Sequence, residues 1–179
     1  MKAADPGAGP AVPAEAPWLM PEVLDRVLAI LAGHHRAFGV GLLPELGQRS
    51  PRQWAQELFV APLVLLAHDG SADPRLIYAN RAALLLWRRR WSEMVGLPSR
   101  LTAEPSQRPS RALALQQAQR QGGVRGYAGI RIDSHGRRFR LEGARLWSLA
   151  PQDAAAADAS ARDASVPAQA AAFCRWWWL

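Results

Sequence analysis

The stretch APLVLLAHDGSADPRLIYANRAALLLWRRRWSEMVG, residues 61–96, decides the fold of this chain. It opens with an apolar run at residues 63–67, which has the length of one buried strand and is too short for a globular helix. Seven residues of turn chemistry follow, and residues 76–79 favour a second short strand. Asn80 then stands at a helix N-cap position, with its side-chain oxygen available to the first amides of a helix that runs to Trp87. The stretch predicts strand, turn, strand and Asn-capped helix.

Length and composition indicate one ordinary domain with tails. The chain has 179 residues, 22 basic and 15 acidic side chains and a formal net charge of +7, so nucleic acid or an anionic surface is a candidate partner. Cys174 is the single cysteine, which excludes an intramolecular disulfide and a thiolate metal cluster. No stretch resembles a signal peptide or has the length of a membrane span. We expect a cytoplasmic protein with no membrane partner.

The residues before the central stretch predict a leader, a helix and a linker. Residues 1–17 are rich in Ala, Gly and Pro without periodicity, and we expect them to be disordered. Within residues 18–50, a helix is predicted over Pro21–Phe38. Its apolar stripe comprises Val23, Leu24, Val27, Leu28 and Leu31. We interpret His34 and His35 as exposed polar residues near the helix end.

The residues after the central stretch predict a longer helix and a β-hairpin. The helix starts at Pro109 and ends near Gly122. Residues 124–132 alternate in the manner of a strand, and residues 137–149 return with a bulge at residues 143–144. One face of the first strand carries Val124, Gly126, Ala128, Ile130 and Ile132, and the other carries Arg125, Tyr127, Gly129 and Arg131.

The C-terminal residues predict a loop and a closing strand. Residues 150–167 form an Ala-rich loop, and the chain ends in Trp176, Trp177, Trp178 and Leu179. An exposed run of tryptophan is a hydrophobic liability, so part of it should pack on the domain or on a partner. Taken together, the elements predict an α+β fold over residues 51–179. It is a five-stranded antiparallel sheet with helices on one face, preceded by the N-terminal helix.

Several motifs in the chain resemble the MEKHLA family, a PAS-related domain. They are YANRAAL at 78–84, LPSRLTAEP at 97–105, GYAGIRI at 126–132, GRRFRLE at 136–142, Trp147, QAAAF at 169–173 and Trp176. The motif residues singled out are Asn80, Pro98, Ser99, Arg100, Arg108, Arg111, Gly129 and Arg138. Ala168 departs from the glycine expected there. The chain resembles the stand-alone bacterial members of this family, and the resemblance implies a PAS-like fold with a sensory or protein-interaction role.

The resemblance also indicates which residues a known PAS cofactor would require. Photoactive flavin domains of this type carry an adduct-forming cysteine in the segment that corresponds to residues 97–104, and haem-binding relatives supply a histidine from the longer helix. This sequence has neither residue at those places. The cofactor therefore stays unknown. No phosphate loop, metal-ligand spacing or nucleophile dyad is evident, so we expect no catalytic and no metal-binding residues.

Seven residues are candidates for the wall of a ligand pocket, and filling the core is their alternative role. They are Leu65, Tyr78, Trp87, Ala128, Ile130, Phe139 and Leu141.

Four arginines and a tyrosine open a second interpretation. Arg125, Arg131, Arg138 and Arg140 are expected on one face of the hairpin with Tyr127, an arrangement seen in platforms for single-stranded nucleic acid. The alternative is that the helix Pro21–Phe38 or a second subunit covers this face. We therefore expect a non-enzymatic PAS-like sensor or interaction module that forms a homodimer and binds a small ligand or a protein. Nucleic-acid binding through the arginine face is the alternative function.

Overall fold

Six strands form one antiparallel sheet within residues 16–44, 47–149 and 167–179, which the computed structural model describes. The strands are β1 (Val64–His68), β2 (Leu76–Ala79), β3 (Gly123–Ile132), β4 (Arg138–Ser148), β5 (Gln169–Phe173) and β6 (Arg175–Trp178). Their order is β2-β1-β5-β4-β3, and β6 pairs with the first half of β4. The predicted antiparallel α+β architecture is confirmed. The expected leader and Ala-rich loop lie almost entirely outside the described residues.

The predicted unit of two strands and a helix is present, and one buried side chain holds it together. Helix α3 (Arg81–Trp87) follows β2 directly. The Asn80 side-chain oxygen accepts from the amides of Ala83 and Leu65 at 3.1 and 3.0 Å. Its amide nitrogen donates to the carbonyl of Leu63 at 2.7 Å and to that of Ala61 at 3.3 Å. Asn80 therefore caps α3 and also ties the helix to the segment that enters β1.

Two helices cover one face of the sheet, called the outer face below. They are α1 (Pro21–Phe38) and α2 (Pro51–Val60), and α2 starts with a capping box between Ser50 and Gln53. The Trp147 indole nitrogen on β4 donates to the Ile30 carbonyl in α1 at 3.1 Å. The N-terminal helix thus covers the sheet as proposed in the covered-face alternative.

The buried stripe of α1 is rotated from the predicted one. Val27 and Ile30 are fully buried, whereas Leu28 is 37% exposed. The interpretation of His34 as an exposed residue is wrong, because its side chain is fully buried. The stripe includes this histidine because its two ring nitrogens find partners, the Val40 carbonyl at 3.0 Å and the Arg145 guanidinium at 2.8 Å.

The other face of the sheet, the inner face, is covered by the elements between β2 and β3. These are α3, the short helix α4 (Trp91–Met94), 3₁₀ turns at Ser99–Thr102 and Pro105–Gln107, and α5 (Arg108–Gln121). The Gln169 amide nitrogen on β5 donates to the Leu115 carbonyl in α5 at 2.8 Å, which docks this helix against the sheet.

Two bulges interrupt the β3–β4 hairpin. The register shifts between Val124 and Tyr127, and again between Tyr127 and Gly129. Gly126 has a φ of +79° and Gly143 a φ of +68°, a left-handed backbone region that glycine adopts without strain. The bulge predicted at residues 143–144 is present. The bulge at Gly126 was not predicted, and it reverses the side-chain alternation of the strand after it.

The C-terminal tail forms two strands instead of the single closing strand expected. A break at Cys174 separates β5, which lies between β1 and β4, from β6, which pairs with β4. The Trp178 ring packs edge-on against Phe139 at 5.7 Å, and Trp177 is 41% exposed. Part of the tryptophan run therefore packs on the domain, as predicted.

None of the helices in the described ranges is long and apolar enough to cross a bilayer.

Candidate ligand-binding site

A small cavity lies between the inner face of the sheet and the helices that cover it. Its volume is about 40 Å³. A single water molecule needs roughly 10–15 Å³ on this scale, so the space holds about three waters or a ligand of similar bulk. The lining residues are Leu66, His68, Leu76, Trp87, Thr102, Arg111, Leu115, Tyr127, Arg131, Leu141, Ala144, Leu146, Ala170, Ala171 and Phe173.

Most of the cavity wall is apolar, and Trp87 is its largest side chain. The Trp87 ring meets Phe139 edge-on at 5.1 Å and Phe173 at 6.3 Å. Its indole nitrogen donates to the Thr102 carbonyl at 3.5 Å, which fixes the ring between α3 and the 3₁₀ turn. The aromatic packing gives this side of the cavity a rigid, water-excluding wall.

Arg131 and Tyr127 form a polar pair on the β3 side of the cavity. The Arg131 guanidinium donates to the Tyr127 hydroxyl at 2.9 Å and lies over the tyrosine ring, 5.4 Å from its centroid. Another of its nitrogens donates to the Ile130 carbonyl at 2.8 Å. Arg131 is only 6% exposed. A Cβ atom at Gly129 would come within 2.8 Å of the tyrosine oxygen and 2.9 Å of the arginine nitrogen, so glycine makes room for the pair.

His68 ends β1 on the inner face and faces the same cavity. Its Nδ1 lies 2.7 Å from the Asp69 carbonyl oxygen and donates to it, which leaves Nε2 as an acceptor. Within the described residues, this buried Nε2 has no hydrogen-bond partner. Burial lowers the pKa of His68 from 6.5 to about 4, and the nearby Arg111 charge lowers it further, against the opposing effect of the Asp69 carbonyl. The imidazole is therefore neutral at physiological pH.

Arg111 brings a second guanidinium to the cavity from the first half of α5. Desolvation, and then repulsion from Arg131, lower its pKa from 12.5 to about 10, so it remains charged at neutral pH. Among the described residues, neither arginine has an ion pair with a carboxylate. The cavity thus holds two desolvated positive charges, one neutral histidine acceptor and an apolar wall.

The structure separates the seven predicted pocket residues into three groups. Trp87 and Leu141 line the cavity, and Phe139 backs Trp87. Leu65 and Tyr78 are fully buried on the outer face with α1 and α2. The prediction for the remaining two, Ala128 and Ile130, placed them on the wrong face. The bulge at Gly126 turns Tyr127, Gly129 and Arg131 inward in their place. A binding role for Trp87 and Leu141 stays a prediction.

The same reversal divides the predicted arginine face. Arg131 lies on the inner face, whereas Arg138 and Arg140 are on the outer side of β4, opposite Ile132 and Ile130. Arg138 pairs with Glu104 at 2.7 Å, and Arg140 pairs with Glu142 at 3.1 Å. Arg125 lies over the Phe38 ring of α1, 4.5 Å from its centroid. The four arginines and Tyr127 do not form one surface, so the expected nucleic-acid platform is not assembled.

Most of the motif residues stabilise the segments around the cavity and do not line it. Arg100 makes two hydrogen bonds to Asp73, at 2.9 and 3.2 Å, which link the turn after β1 to the 3₁₀ turn. Pro98 bridges to Arg75, and the buried Ser99 donates its amide to the Pro74 carbonyl at 2.7 Å. The Arg108 Nε is buried with no partner among the described residues. Only Arg111 of this set lines the cavity itself.

None of the polar residues of the cavity was predicted to line a ligand pocket, although Tyr127 and Arg131 were assigned to the arginine face and Arg111 to the motif residues. His68 alternates with Val64 and Leu66 along β1, and a histidine in an inward position of a buried strand was a usable signal. Tyr127 and Arg131 could be recognised only with the bulge at Gly126, because strict alternation places them outside. Asp69 acts as a turn former by accepting from the amides of Ser71 and Arg75.

The described ranges contain no cluster of three or more His, Cys, Asp or Glu residues that could hold a metal ion.

Solved structures similar to this chain share the PAS fold. A PAS domain from Colwellia psychrerythraea is 12% identical with a TM-score of 0.54, covering 68% of this chain and 92% of that one. A fungal light-oxygen-voltage photoreceptor is 16% identical with a TM-score of 0.50, covering 86% and 91%. An RNA-binding light-oxygen-voltage receptor is 20% identical with a TM-score of 0.54, covering 74% of this chain but only 36% of the receptor. At these identities the likeness shows the fold alone.

No curated protein matches the chain. The family model described as the MEKHLA domain matches residues 24–178, which include most of α1, the whole sheet and the cavity. This chain belongs to the MEKHLA domain family.

Proposed function

We propose that this PAS-like domain is a non-enzymatic sensory module, which binds a small molecule in the inner cavity and reports it through α1. The observation that carries the proposal is the double role of β4. Its inward residues Ala144 and Leu146 line the cavity, and its outward residues Arg145 and Trp147 contact α1. A ligand that moves this strand therefore acts on both faces of the sheet.

Helix α1 and strand β4 are packed so closely that a small displacement of the strand should move the helix. The Trp147 indole and the His34 ring meet edge-on at 5.0 Å. A Cβ atom at Gly33 would lie 3.1 Å from both Trp147 and Leu149, so the helix backbone rests directly on the strand. Close-packed contacts of this kind transmit displacements because they leave little free volume.

The mechanism is a shift between two arrangements of α1 on the sheet. A ligand shifts such an equilibrium only to the extent that it binds one arrangement more tightly than the other. The cavity provides that preference if occupation moves Ala144 and Leu146 outward against the helix. Family membership supports a sensory role, since the chain shares the fold of PAS-type domains. The homodimer expected from the sequence stays a prediction, which sedimentation of the purified protein tests.

Native mass spectrometry followed by hydrogen exchange tests the proposal. The protein purified from cells is expected to carry a small molecule, and removing that molecule should change amide exchange in Pro21–Phe38. Ala171→Leu fills the cavity from β5 and should abolish both the bound mass and the change in exchange. Ala112→Leu adds the same bulk on the exposed side of α5 and should preserve both.

Two results would contradict the proposed function. One is identical exchange in α1 with and without bound small molecule. The other is a cavity that takes up no compound, either from cells or from a fragment library containing charged and neutral members.

A further inference from the structure

We infer that the cavity binds a small carboxylate that also carries a hydroxyl group, held between Arg111, Arg131 and His68. This inference rests on the proposed function, and it names the ligand class that the cavity recognises.

The two arginines supply the charge argument. A buried guanidinium is ordinarily paired with a carboxylate, because an unpaired desolvated cation is costly. Arg131 is 6% exposed, and its described hydrogen bonds go to the neutral oxygens of Tyr127 and Ile130. Arg111 lines the same cavity with no described carboxylate partner, close enough to Arg131 for their charges to repel. An anion in the cavity would neutralise both.

The acidic residues near the cavity are engaged elsewhere. Glu104 pairs with Arg138, and Asp133 lies 3.4 Å from Arg88. Asp69 accepts from backbone amides in its own turn. Within the described part of the chain, the missing negative charge is therefore not supplied by these side chains, and a ligand carboxylate is the natural partner of a guanidinium fork.

His68 supplies the hydrogen-bonding argument. Its buried Nε2 is an acceptor without a described partner, on the wall that also carries Arg111. A carboxylate has no proton to donate to this nitrogen, whereas a hydroxyl group on the same molecule has one. The site therefore combines two cationic donors for the acid group with one acceptor for an alcohol.

The volume and the apolar wall supply the size argument. A cavity of about 40 Å³ restricts the ligand to the smallest organic molecules, such as a short hydroxy acid, and excludes a multi-ring cofactor. Leu76, Trp87 and Leu141 offer the ligand's carbon atoms an apolar contact. The probe that matches charge, hydroxyl and size is 2-hydroxypropanoate.

Calorimetric titration of the full chain with three probes tests each part of the inference. We expect 2-hydroxypropanoate to bind, and propanoate, which lacks the hydroxyl group, to bind about 5- to 10-fold more weakly through loss of one hydrogen bond. The neutral amide 2-hydroxypropanamide should bind about 10- to 100-fold more weakly, because charge-assisted hydrogen bonds are lost. His68→Leu should remove the preference for 2-hydroxypropanoate over propanoate.

Arg111→Gln and Arg120→Gln form the matched pair of variants. Both remove one positive charge from α5, but Arg120 is exposed near the end of the helix. We expect Arg111→Gln to weaken 2-hydroxypropanoate binding about 10- to 100-fold and Arg120→Gln to leave it unchanged. Without ligand, the melting temperature of Arg111→Gln should equal or exceed that of the parent, since a half-buried charge without a described carboxylate partner has been removed. A purely structural arginine would give a lower melting temperature.

The outcomes separate this inference from the proposed function. If the amide probe binds as well as the acid, if Arg111→Gln leaves acid binding intact, or if 2-hydroxypropanoate fails to bind at millimolar concentration, the ligand class is wrong. The sensory function survives each of these results when another small molecule occupies the cavity and alters exchange in α1. Loss of all small-molecule binding overturns both.

Discussion

His34 makes the packing of helix α1 on the sheet sensitive to pH. Its ring is neutral in the fold, because Nδ1 donates to the Val40 carbonyl and Nε2 accepts from Arg145. Burial lowers its pKa from 6.5 to about 4, and the Arg145 charge lowers it further, against the opposing effect of the Val40 carbonyl. A proton added to Nε2 would face a guanidinium N–H, so acid should break this contact.

We expect the free energy of unfolding to fall as pH drops from 7 to 5. In this range the unfolded chain protonates a histidine at about pH 6.5 while native His34 stays neutral, so the unfolded state binds more protons and is favoured. The cost is about 2 kcal/mol for His34 and a similar amount for His68, whose pKa is lowered to the same extent. Urea unfolding at both pH values measures it.

His34→Gln is the variant that isolates the His34 share of the pH dependence. A glutamine amide can still donate to the Val40 carbonyl and accept from Arg145, but it does not titrate. The difference in unfolding free energy between pH 7 and pH 5 should fall to about half of the parent value. An unchanged pH dependence in this variant would show that His34 titrates normally in the fold.

Among the elements, the unit of β1, β2 and α3 is stabilised more by the hydrogen bonds of Asn80 than by the helix propensity of the α3 residues. Asn80→Ala removes the cap of α3 and leaves the Leu65 amide and the Leu63 carbonyl without their side-chain partner. A lost cap costs about 1 kcal/mol, and each stranded buried group adds about 1–3 kcal/mol. We expect a loss of about 3 kcal/mol or more, measured by urea unfolding.

Ser50→Ala is the control for the Asn80 substitution. Ser50 caps α2 through the Gln53 amide at 3.3 Å, but it lies at the surface, where water replaces the lost bond. This variant should lose only about 1 kcal/mol. Equal losses in the two variants would mean that Asn80 acts as a helix cap alone and does not organise the strands.

The elements also show what the sequence could predict and why the rest could not be predicted. The strands β1 and β2, the helix α3 and its cap follow from local patterns of a few residues, and all were found. The inner face of β3 was assigned wrongly because one extra residue at Gly126 reverses every side chain beyond it. Alternation within β3 does not show such a bulge, and Gly126, a glycine inside a strand like Gly143, was the signal that could have indicated it.

Dependence on contacts between distant parts of the chain explains why the polar residues of the cavity could not be predicted. Arg111, Arg131 and His68 are separated by 20 or more residues along the chain, and only the stacking of α5 on the sheet brings them together. Sequence patterns assign an arginine to solvent by default, since a buried unpaired one is rare. His34 was predicted at the surface because its partner, Arg145, lies 111 positions away and the local sequence gives no sign of it.

At the scale of the whole molecule, β4 is the strand on which the rest converges. It pairs with β3, β5 and β6, contacts α1 on one face and lines the cavity on the other. The C-terminal tail closes its first half through β6. The end of the chain is thus connected to the cavity through a row of aromatic rings, from Trp178 to Phe139 at 5.7 Å and from Phe139 to Trp87 at 5.1 Å.

This arrangement predicts unequal roles for the tryptophans of the tail. Trp178 is partly buried, packs on Phe139 and carries the Arg137 guanidinium 4.0 Å above its ring, whereas Trp177 is 41% exposed. Trp178→Ala should cost about 2–3 kcal/mol of unfolding free energy, less than the roughly 3–5 kcal/mol typical of a fully buried ring. Trp177→Ala should cost less than about 1 kcal/mol, as expected for a surface substitution. Both are measured by urea unfolding.

Trp178→Ala should cost more stability than Trp177→Ala because of the way β6 is attached to the domain. The strand has four residues and, in the part of the chain that the structure describes, it pairs on one side only. Its backbone bonds alone are therefore too few to keep it in place, and the Trp178 ring is the anchor. Removing that ring should release β6, expose Phe139 to water and loosen the wall behind Trp87, and hydrogen exchange in β4 should rise with it. Equal losses in the two variants, or unchanged exchange in β4 after Trp178→Ala, would show that the tail lies on the domain without supporting the cavity.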